Sequence, residues 1–367
     1  MRIFYLSSFD VIDTDMNVLP HLSKMHEIVF GLLIPGSNYS YWGKELNRIK
    51  GENKLIQLRS IRLKYRRRNP FNIPIYIRLI LSIRRGRYDI IYVNDFEDIY
   101  FRLLFAVFIR KDKTLCGIHD VAYHSGWKYK ILKGASRELF LRKFDTVLTF
   151  SQSQAKLLES KYRRVFSVPM ALKRFGDNPD IKKDYSIIQF LFFGTIASYK
   201  GLDMLITVIK KLSLKYNNFR LIIAGRCNEW TSVYEPMVAN NKNIFTDIRR
   251  IENEEIPYYF ASSHYLILPY KDVTQSGPLM IAYYYQVPVI ASDLEGFREY
   301  IQEGTTGFTF SVGKEDQLEK AIENSILRKK EAYEHLVSNL KDSVSKKYGA
   351  ATIASKYDKV FKKVYES

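Results

Sequence analysis

The sequence predicts an α/β protein built from two doubly wound, Rossmann-like domains that face a cleft. Short apolar runs rich in β-branched and aromatic residues alternate with amphipathic stretches, a pattern typical of right-handed βαβ units and a parallel sheet. The alternation starts twice, with a polar segment between the two runs. At 367 residues, 46% of them hydrophobic, the chain is long enough for two cores.

In the first half, the short apolar runs have the length and composition of buried strands. They are MRIFYLSS (1–8), HEIVFGLLI (26–34), DIIYVND (89–95), KTLCGIHD (113–120) and DTVLTFSQS (145–153). Amphipathic stretches at 135–144 and 152–162 predict helices between them. We therefore expect residues 1–172 to form the first domain.

The polar segment ALKRFGDNPDIKKDYS (171–186) contains Pro and Gly and predicts an interdomain linker over 173–186. The pattern then resumes. Strands are predicted at 187–194, 219–225, 243–248, 264–270, 287–292 and 307–310, and helices at 201–216, 254–262, 276–286 and 314–345. The second domain is therefore expected over 187–349. An amphipathic helix over 350–367 is expected to join the first domain.

The net charge of +18 is concentrated in the first half of the chain. Residues 1–170 carry 30 Lys and Arg against 15 Asp and Glu, whereas residues 171–367 carry an excess of only +3. The densest stretches, 59–70 and 77–88, interleave arginines with Ile, Leu and Tyr, which suits anionic lipid headgroups. The residues expected to meet a membrane or acceptor are Arg66, Arg67, Arg68, Arg84 and Arg85. A nucleic-acid site and a merely solvated basic face are the alternatives, and no nucleic-acid motif is recognised.

Cysteine content and the first residues favour a cytoplasmic protein. Cys116 and Cys227 have no metal-type spacing and form no framework of bridges. Met1-Arg2 leads directly into a predicted strand, so no signal peptide is expected. No apolar stretch approaches the roughly 20 residues of a membrane span. With the basic stretches, this predicts a peripheral protein on the inner face of the cytoplasmic membrane.

Three segments of the second half carry polar residues where a predicted strand ends. In FFGTIASYKGLDML (192–205), Lys200 opens a helix, whose amino end already favours an anion. In TQSGPLM (274–280), hydroxyls and backbone N–H groups can converge on one phosphate. In IASDLEGFREYIQEGTTGFTF (290–310), Glu295 and Glu299 could accept hydrogen bonds from sugar hydroxyls. A solvated lysine, an ordinary helix cap and helix-start acids are the respective alternatives.

Taken in order, these segments resemble the donor-binding domain of glycosyltransferase family 4, retaining enzymes of the two-domain GT-B fold. The resemblance rests on FFGTIASYKGLD, LIIAGR, IRRIENEEIPYYFASSHYLILPY, TQSGPLMIAYYYQVPVIASDLEGFREYI and GTTGF, and it covers roughly residues 187–312. The first half resembles the same family more loosely, through DIIYVND, GIHDVAYHSG and TFSQSQAKLL.

The resemblance implies a role for individual residues. The donor diphosphate would be bound by Gly194, Thr195, Lys200, Thr274, Gln275, Ser276 and Gly277. Arg249, Glu295 and Glu299 would contact the donor sugar or nucleotide, and His119 with Asp120 would lie near the transferred sugar as catalytic residues. His124 is a less favoured companion of His119.

The chain departs from the family pattern at two places. Thr195 stands where many members carry an Arg, which removes one charge from the phosphate site. The Glu-x7-Glu pattern is absent, since Val273 and Ile281 occupy its two positions. In this respect the chain resembles a subgroup with TQSG followed by an apolar helix.

The expected activity is that of a hexosyltransferase-type glycosyltransferase. It would move a sugar from a nucleotide diphosphate to a glycan, expected to be lipid-linked, in bacterial surface polysaccharide synthesis. No metal or other cofactor is expected, because a helix amino end and a lysine can replace a cation at the leaving diphosphate. The alternatives are a catalytically silent subunit that supports a partner enzyme, a nucleotide-sugar epimerase of the same fold, and a nucleic-acid-binding protein.

Overall fold

The structure, a computed structural model, describes residues 1–8, 11–34, 51, 56–94, 98–119, 121 and 130–367. The chain divides into two compact units. Unit 1 comprises Met1–Ala171 and Tyr348–Ser367, and unit 2 comprises Leu172–Lys347. Residues 173–186, predicted as a linker, thus belong to unit 2.

Unit 1 contains a sheet in which seven strands lie within the described residues. They are β1 (Arg2–Ser8), β2 (Glu27–Ile34), β3 (Ile56–Arg62), β4 (Ile90–Asn94), β5 (Thr114–Ile118), β6 (Thr146–Thr149) and β7 (Arg164–Ser167). Their order is β3-β2-β1-β4-β5-β6-β7, and every pair is parallel. The register of the central pair places Ile3 opposite Ile90 and Ser7 opposite Asn94.

Helices cover the sheet of unit 1 and pack apolar side chains on it. The helices are Ile12–Asp15, Leu19–Leu22, the 3-10 turn Pro70–Asn72, Ile73–Arg85, Ile99–Phe108, Lys130–Phe144, Gln152–Glu159 and Ala350–Tyr365. The last helix belongs to unit 1: the rings of Tyr357 and Phe361 lie 5.9 and 5.8 Å from that of Tyr92 on β4.

Unit 2 contains a second parallel sheet, with six strands. They are β8 (Ile188–Phe193), β9 (Phe219–Ala224), β10 (Ile244–Asp247), β11 (Tyr265–Leu268), β12 (Val289–Ser292) and β13 (Gly307–Phe310), in the order β10-β9-β8-β11-β12-β13. Its helices are Ser198–Lys200 (3-10), Leu202–Leu212, Trp230–Tyr234 (π), Glu235–Val238, Ile256–Ala261, Gly277–Tyr284, Glu295–Arg298, Glu315–Ile326 and Lys330–Tyr348. The stretch predicted as one helix over 314–345 is two helices, because the first ends at Leu327.

Two Rossmann-like α/β units with parallel sheets confirm the predicted fold class. The core strands were predicted from their apolar runs, and each is buried on both faces, as parallel sheets covered by helices require. In the ranges that the structure describes, no helix is both long and apolar enough to cross a bilayer.

Candidate functional site

The strand order marks one place in each sheet where a ligand is expected. From β8 the chain moves outward through β9 and β10 and then returns to β11 on the other side of β8. Open parallel sheets bind ligands outside the carboxyl ends of the strands, at such a reversal. In unit 2 the loops after β8 and β11 therefore form the candidate site.

These two loops are in direct backbone contact. Gly201 has φ +66°, and a Cβ on it would lie 2.0 Å from the carbonyl oxygen of Pro269. The N–H of Lys271 donates to the carbonyl of Tyr199 at 2.6 Å. Only a glycine fits position 201, so the turn that carries Lys200 is held against the loop after β11.

Lys200 is a buried cation in this corner. Its side chain is 8% exposed, and its ammonium lies 5.3 Å from the ring centroid of Tyr270. Burial lowers the pKa of Lys200 to about 8. Among the described residues no carboxylate is bonded to this ammonium. A buried ammonium without a carboxylate is electrostatically suited to an incoming anion.

The helix Gly277–Tyr284 begins beside this lysine. The Lys200 Nζ and the Cγ of Pro278 each lie 3.6 Å from the point where a Cβ on Gly194 would sit. The Ser276 hydroxyl, buried at the N-cap, accepts from the N–H of Leu279 at 3.4 Å. Pro278 has no N–H, so in the described part of the chain the N–H of Gly277 is the first-turn donor left open to an anion.

A second ammonium, that of Lys173, was not predicted from the sequence and lies at the same helix start. The Nζ of Lys173 is 3.3 Å from the Cβ position of Gly277, and its side chain is 7% exposed. Its backbone N–H donates to the carbonyl of Met280 at 3.3 Å, which fixes residue 173 beside the helix. Lys173 falls in the polar stretch predicted as a linker, so its sequence context gave no sign of a site.

The third predicted segment contacts the second. A Cβ on Gly296 would lie 2.9 Å from the carbonyls of both Val273 and Thr274, so the helix Glu295–Arg298 packs directly on this loop. Thr274, Gln275 and Glu299 are half-buried, whereas Thr195 and Glu295 are exposed. The structure thus brings the three segments to one edge of the sheet.

Arg249 lies at the end of β10 in an ion-pair cluster. Its guanidinium donates to both carboxylate oxygens of Glu255, at 2.6 and 2.8 Å, and to Asp247 at 3.0 Å. The hydrogen bonds from Arg249 lower the pKa of Glu255 to about 2. The charge of Arg249 is therefore balanced by two carboxylates, and its predicted role at the nucleotide stays a prediction.

In unit 1 the strand order reverses between β1 and β4, and polar side chains cluster at that point. His119, one residue past β5, places Nε2 3.0 Å from the Oδ1 of Asn94 and stacks on Phe150 with ring centroids 4.1 Å apart. The Nδ2 of Asn94 donates to the buried carboxylate of Asp15 at 2.8 Å. Asp15 and Asn94 were not predicted from the sequence as site residues. Asp120 and His124 lie outside the described residues.

The basic segment of unit 1 is anchored by one buried carboxylate. Asp98 accepts from the N–H of Arg68 at 2.8 Å and from the Tyr76 hydroxyl at 2.9 Å, and it caps the helix Ile99–Phe108. Of the five predicted arginines, Arg66, Arg68, Arg84 and Arg85 are exposed and Arg67 is half-buried.

Large apolar side chains are exposed on the same helical layer. On and beside the helices Ile73–Arg85 and Ile99–Phe108, which pack together in the core, lie Phe71, Ile77, Leu81, Leu103, Val107 and Phe108, exposed by 39 to 71%. We call these six side chains, with the four exposed arginines, the basic-apolar face.

Two family profiles match the chain. The profile described as "Glycosyl transferases group 1" matches residues 188–327, and that described as "Glycosyltransferase Family 4" matches residues 35–169, about three quarters of the chain together.

In the residues that the structure describes, no group of three His, Cys, Asp or Glu could hold a metal ion.

Curated relatives are distant. An uncharacterized 41.2 kDa protein in the cps region of Klebsiella pneumoniae is 21% identical over 78% of this chain and 82% of its own length. A GDP-mannose:glycolipid 4-beta-D-mannosyltransferase of Xanthomonas campestris is 24% identical, over 33% of this chain and 35% of its own.

Solved structures share the whole fold. Anabaena HepE, in complex with UDP and glucose, aligns over 99% of this chain and all of its own with a TM-score of 0.74 at 15% identity. A glycosyltransferase from Rickettsia africae aligns over 100% of this chain and 99% of its own, with a TM-score of 0.74 at 16% identity. Structural neighbours of this kind are GT-B glycosyltransferases.

Proposed function

We propose that this chain, which belongs to the group 1 and family 4 glycosyltransferases with the GT-B fold, transfers a sugar from a nucleotide diphosphate to a hydroxyl of a lipid-linked glycan. The observation that carries the proposal is the buried Lys200 ammonium, bonded to no carboxylate among the described residues and set beside the start of the helix Gly277–Tyr284.

The chemistry needs positive charge where the donor breaks. As the bond between the sugar and the diphosphate lengthens, negative charge grows on the leaving phosphate. The Lys200 ammonium and the open N–H of Gly277 would stabilise that charge, and Lys173 would add a second ammonium at the same helix start. These groups are already buried and fixed, so little reorganisation is needed when the charge develops.

The relatives indicate which nucleotide sugars to test first. Anabaena HepE is solved with UDP and glucose, and the Xanthomonas relative is a GDP-mannose enzyme. A UDP-hexose is therefore the first donor to test and GDP-mannose the second. Retention of the anomeric configuration is part of the proposal by family resemblance, and the anomeric coupling in the NMR spectrum of the product tests it.

The acceptor is assigned to unit 1 because the basic-apolar face belongs to it. Exposed arginines beside exposed Phe, Leu and Val side chains match an anionic bilayer surface, on which a lipid-linked glycan is carried. A relative in a cps region and another that acts on a glycolipid support bacterial surface polysaccharide as the setting, with the protein on the inner face of the cytoplasmic membrane.

Donor binding can be tested by thermal shift with UDP, GDP, ADP and their sugars. A ligand present at 100 times its Kd stabilises the fold by about 2.7 kcal/mol. We expect one nucleotide diphosphate to raise the Tm of the wild type and not that of Lys200→Ala. Lys215→Ala is the control, because Lys215 is an exposed lysine paired with glutamates on the same unit.

The thermal-shift screen and a turnover assay together separate the rival functions. No stabilisation by any nucleotide would favour a silent subunit over an enzyme. Conversion of the donor without any acceptor would favour a nucleotide-sugar epimerase. Transfer to a glycan acceptor only when both substrates are present would support the proposal.

A further inference from the structure

A pocket in unit 2 is lined by residues that lie outside the segments of the candidate donor site. Its volume is about 450 Å³, which is within the range of pockets that hold small organic ligands. One wall is formed by Ile181, Lys183 and Tyr185, from the polar stretch predicted as a linker, and the other by one side of the helix Lys330–Tyr348. The lining residues all belong to unit 2, so the pocket is formed within one compact unit.

The ammonium of Lys183, which lines this pocket, is held by two neutral acceptors. Its Nζ donates to the carbonyl of Ser263 at 2.5 Å and to the hydroxyl oxygen of Tyr333 at 3.0 Å. The Tyr333 hydroxyl donates in turn to the carbonyl of His264 at 2.9 Å, so its oxygen is fixed as an acceptor for the lysine. An ammonium carries three hydrogens, so one of them has no acceptor among the described contacts.

The charge of Lys183 is not balanced within the described part of the chain. None of the carboxylates that the structure describes is bonded to its ammonium. Desolvation lowers the pKa of Lys183 to about 8, whereas a carboxylate partner would raise it. Holding a desolvated charge with neutral acceptors alone is unfavourable, so the arrangement favours an anion as the missing partner.

A second lysine, Lys341, lines the same pocket from the helix Lys330–Tyr348. It is exposed, and among the described residues it has no carboxylate partner. Glu334 is also at the pocket, but its carboxylate accepts from the Tyr185 hydroxyl at 3.3 Å and lies 3.8 Å from the ammonium of Lys330. The pocket therefore presents two ammoniums whose charges are not balanced by the described residues, and one dianion would balance both.

We propose that this pocket binds the phosphate group of a small molecule, with Lys183 and Lys341 as the cations that hold it. A phosphate monoester carries about 1.5 to 2 negative charges at neutral pH, and lysine binds phosphate as a point charge. A carboxylate would balance only one of the two ammoniums. The pocket has the volume of a small organic ligand rather than of a lone ion, so Ile181 and Val337 would border the rest of the molecule.

Calorimetric titration of the full chain with inorganic phosphate and with glucose 6-phosphate, at constant ionic strength, tests this site. We expect both to bind the wild type, because they share the phosphate group. Tighter binding of glucose 6-phosphate would identify an organic phosphate as the ligand, and equal binding would identify phosphate itself. Absence of binding by both would overturn the proposal, as would glucuronate, which offers a carboxylate instead, binding as tightly as glucose 6-phosphate.

Substitutions of the two lysines locate the site. Lys183→Gln should raise the Kd for glucose 6-phosphate by about 10-fold or more, because it removes a charged donor, and Lys341→Gln should raise it by a smaller factor. Lys341 is exposed, so its replacement tests the site even if Lys183→Gln fails to fold. Lys346→Gln is the matched control, since Lys346 is an exposed lysine of the same helix that does not line the pocket. Equal affinities of Lys341→Gln and Lys346→Gln would overturn the proposal.

Lys200→Ala separates this pocket from the candidate donor site, where a phosphate could also bind. We expect Lys200→Ala to keep the affinity for glucose 6-phosphate and to lose that for the nucleotide, and Lys183→Gln to do the reverse. Glucose 6-phosphate binding that is lost in Lys200→Ala and kept in Lys183→Gln would place the phosphate at the donor site and overturn the proposal. Failure of every nucleotide to bind would remove the proposed donor site and leave the phosphate result intact.

Discussion

The ammonium of Lys200 lies over the ring of Tyr270, 5.3 Å from its centroid, and both side chains are buried. An aromatic face attracts a cation but does not neutralise it. The contact therefore keeps Lys200 in place and leaves its charge for a ligand. Burial lowers the pKa of Lys200 to about 8, and none of the carboxylates that the structure describes is bonded to its ammonium to offset this.

Nucleotide binding should depend on pH through Lys200. Above pH 8 the side chain of Lys200 is largely neutral in the free protein. Binding of an anion then requires Lys200 to take up a proton, so the affinity for UDP should fall as the pH rises from 7 to 9. Calorimetric titration at several pH values measures this. Lys200→Arg keeps its charge throughout and should give a much flatter profile. An equal decline in both proteins would contradict the prediction.

Gly201→Ala should be strongly destabilising. The new Cβ would lie 2.0 Å from the carbonyl oxygen of Pro269 at φ +66°, so the two loops of the candidate site must separate. Gly313→Ala is the matched control, because its φ of +74° is similar and no atom lies within 4 Å of the new Cβ. We expect a loss of about 1 kcal/mol for Gly313→Ala, from backbone strain alone, and several times more for Gly201→Ala. Equal losses in urea unfolding would disprove the contact.

The stability that Asp15 contributes should increase as the pH falls. Burial raises the pKa of Asp15 to about 6, against hydrogen bonds from Ser7, Tyr5 and Asn94 that lower it. Between pH 4 and 6 the folded state binds more protons at Asp15 than the unfolded chain does. The free energy of unfolding therefore gains from protonation of Asp15 as the pH decreases through 6, and this gain is absent above pH 6. The Tm of the wild type minus that of Asp15→Asn should therefore grow from pH 7 to pH 5 in calorimetry. A difference that stays constant or shrinks would argue against the buried carboxylate.

Vesicle binding should depend on the apolar residues of the basic-apolar face. Phe71 and Val107 are 71% and 70% exposed, and burying such a side chain in lipid is worth on the order of 1.5 kcal/mol. We expect Phe71→Ser with Val107→Ser to weaken binding to anionic vesicles by about 10-fold or more in co-sedimentation. Leu214→Ser is the control, since Leu214 is 89% exposed on unit 2.

The arginines at 66–68, of which Arg66 and Arg68 belong to the basic-apolar face, should give the binding its salt dependence. Arg66→Glu, Arg67→Glu and Arg68→Glu together should weaken binding to anionic vesicles at low salt and leave neutral vesicles unaffected. Unchanged binding to anionic vesicles at low salt would exclude a membrane role for this segment.

Phe361→Ala should destabilise unit 1. Phe361 is fully buried and its ring lies 5.8 Å from that of Tyr92, so truncation should cost about 3–5 kcal/mol. Tyr365, 54% exposed on the same helix, offers the matched control Tyr365→Ala, with a change below about 0.5 kcal/mol. Native-state hydrogen exchange should show the loss in β4 and not in β11.

The central strands could be predicted from sequence because both of their faces are buried and their residues are continuously apolar. The edge strands β3 and β7 could not. In IQLRSIR only Ile56 is buried, so the arginines that face solvent hide the strand pattern. Arg59 and Arg62 lie on the protein surface, as their charge predicts, but both belong to strand β3, which was not predicted.

Some residues of the candidate sites could be predicted from local sequence signals, and others could not. Lys200, Ser276 and Gly277 lie where a strand ends and a helix begins, which local sequence signals reveal. Lys173 reaches the same helix start from a stretch with no such signal. Asp15 and Asn94 are 79 residues apart and meet only because β1 and β4 are neighbours, a pairing that no local pattern encodes.

The position of the last helix has a consequence for synthesis. Tyr357 and Phe361 cover Tyr92 on β4, yet they leave the ribosome after all of unit 2. The sheet that is synthesised first therefore lacks the cover of this helix until the whole of unit 2 has been synthesised, and the ring of Tyr92 stays uncovered on this side until then. A chain truncated after residue 349 would contain all of unit 2 and would lack the helix that covers Tyr92 in unit 1.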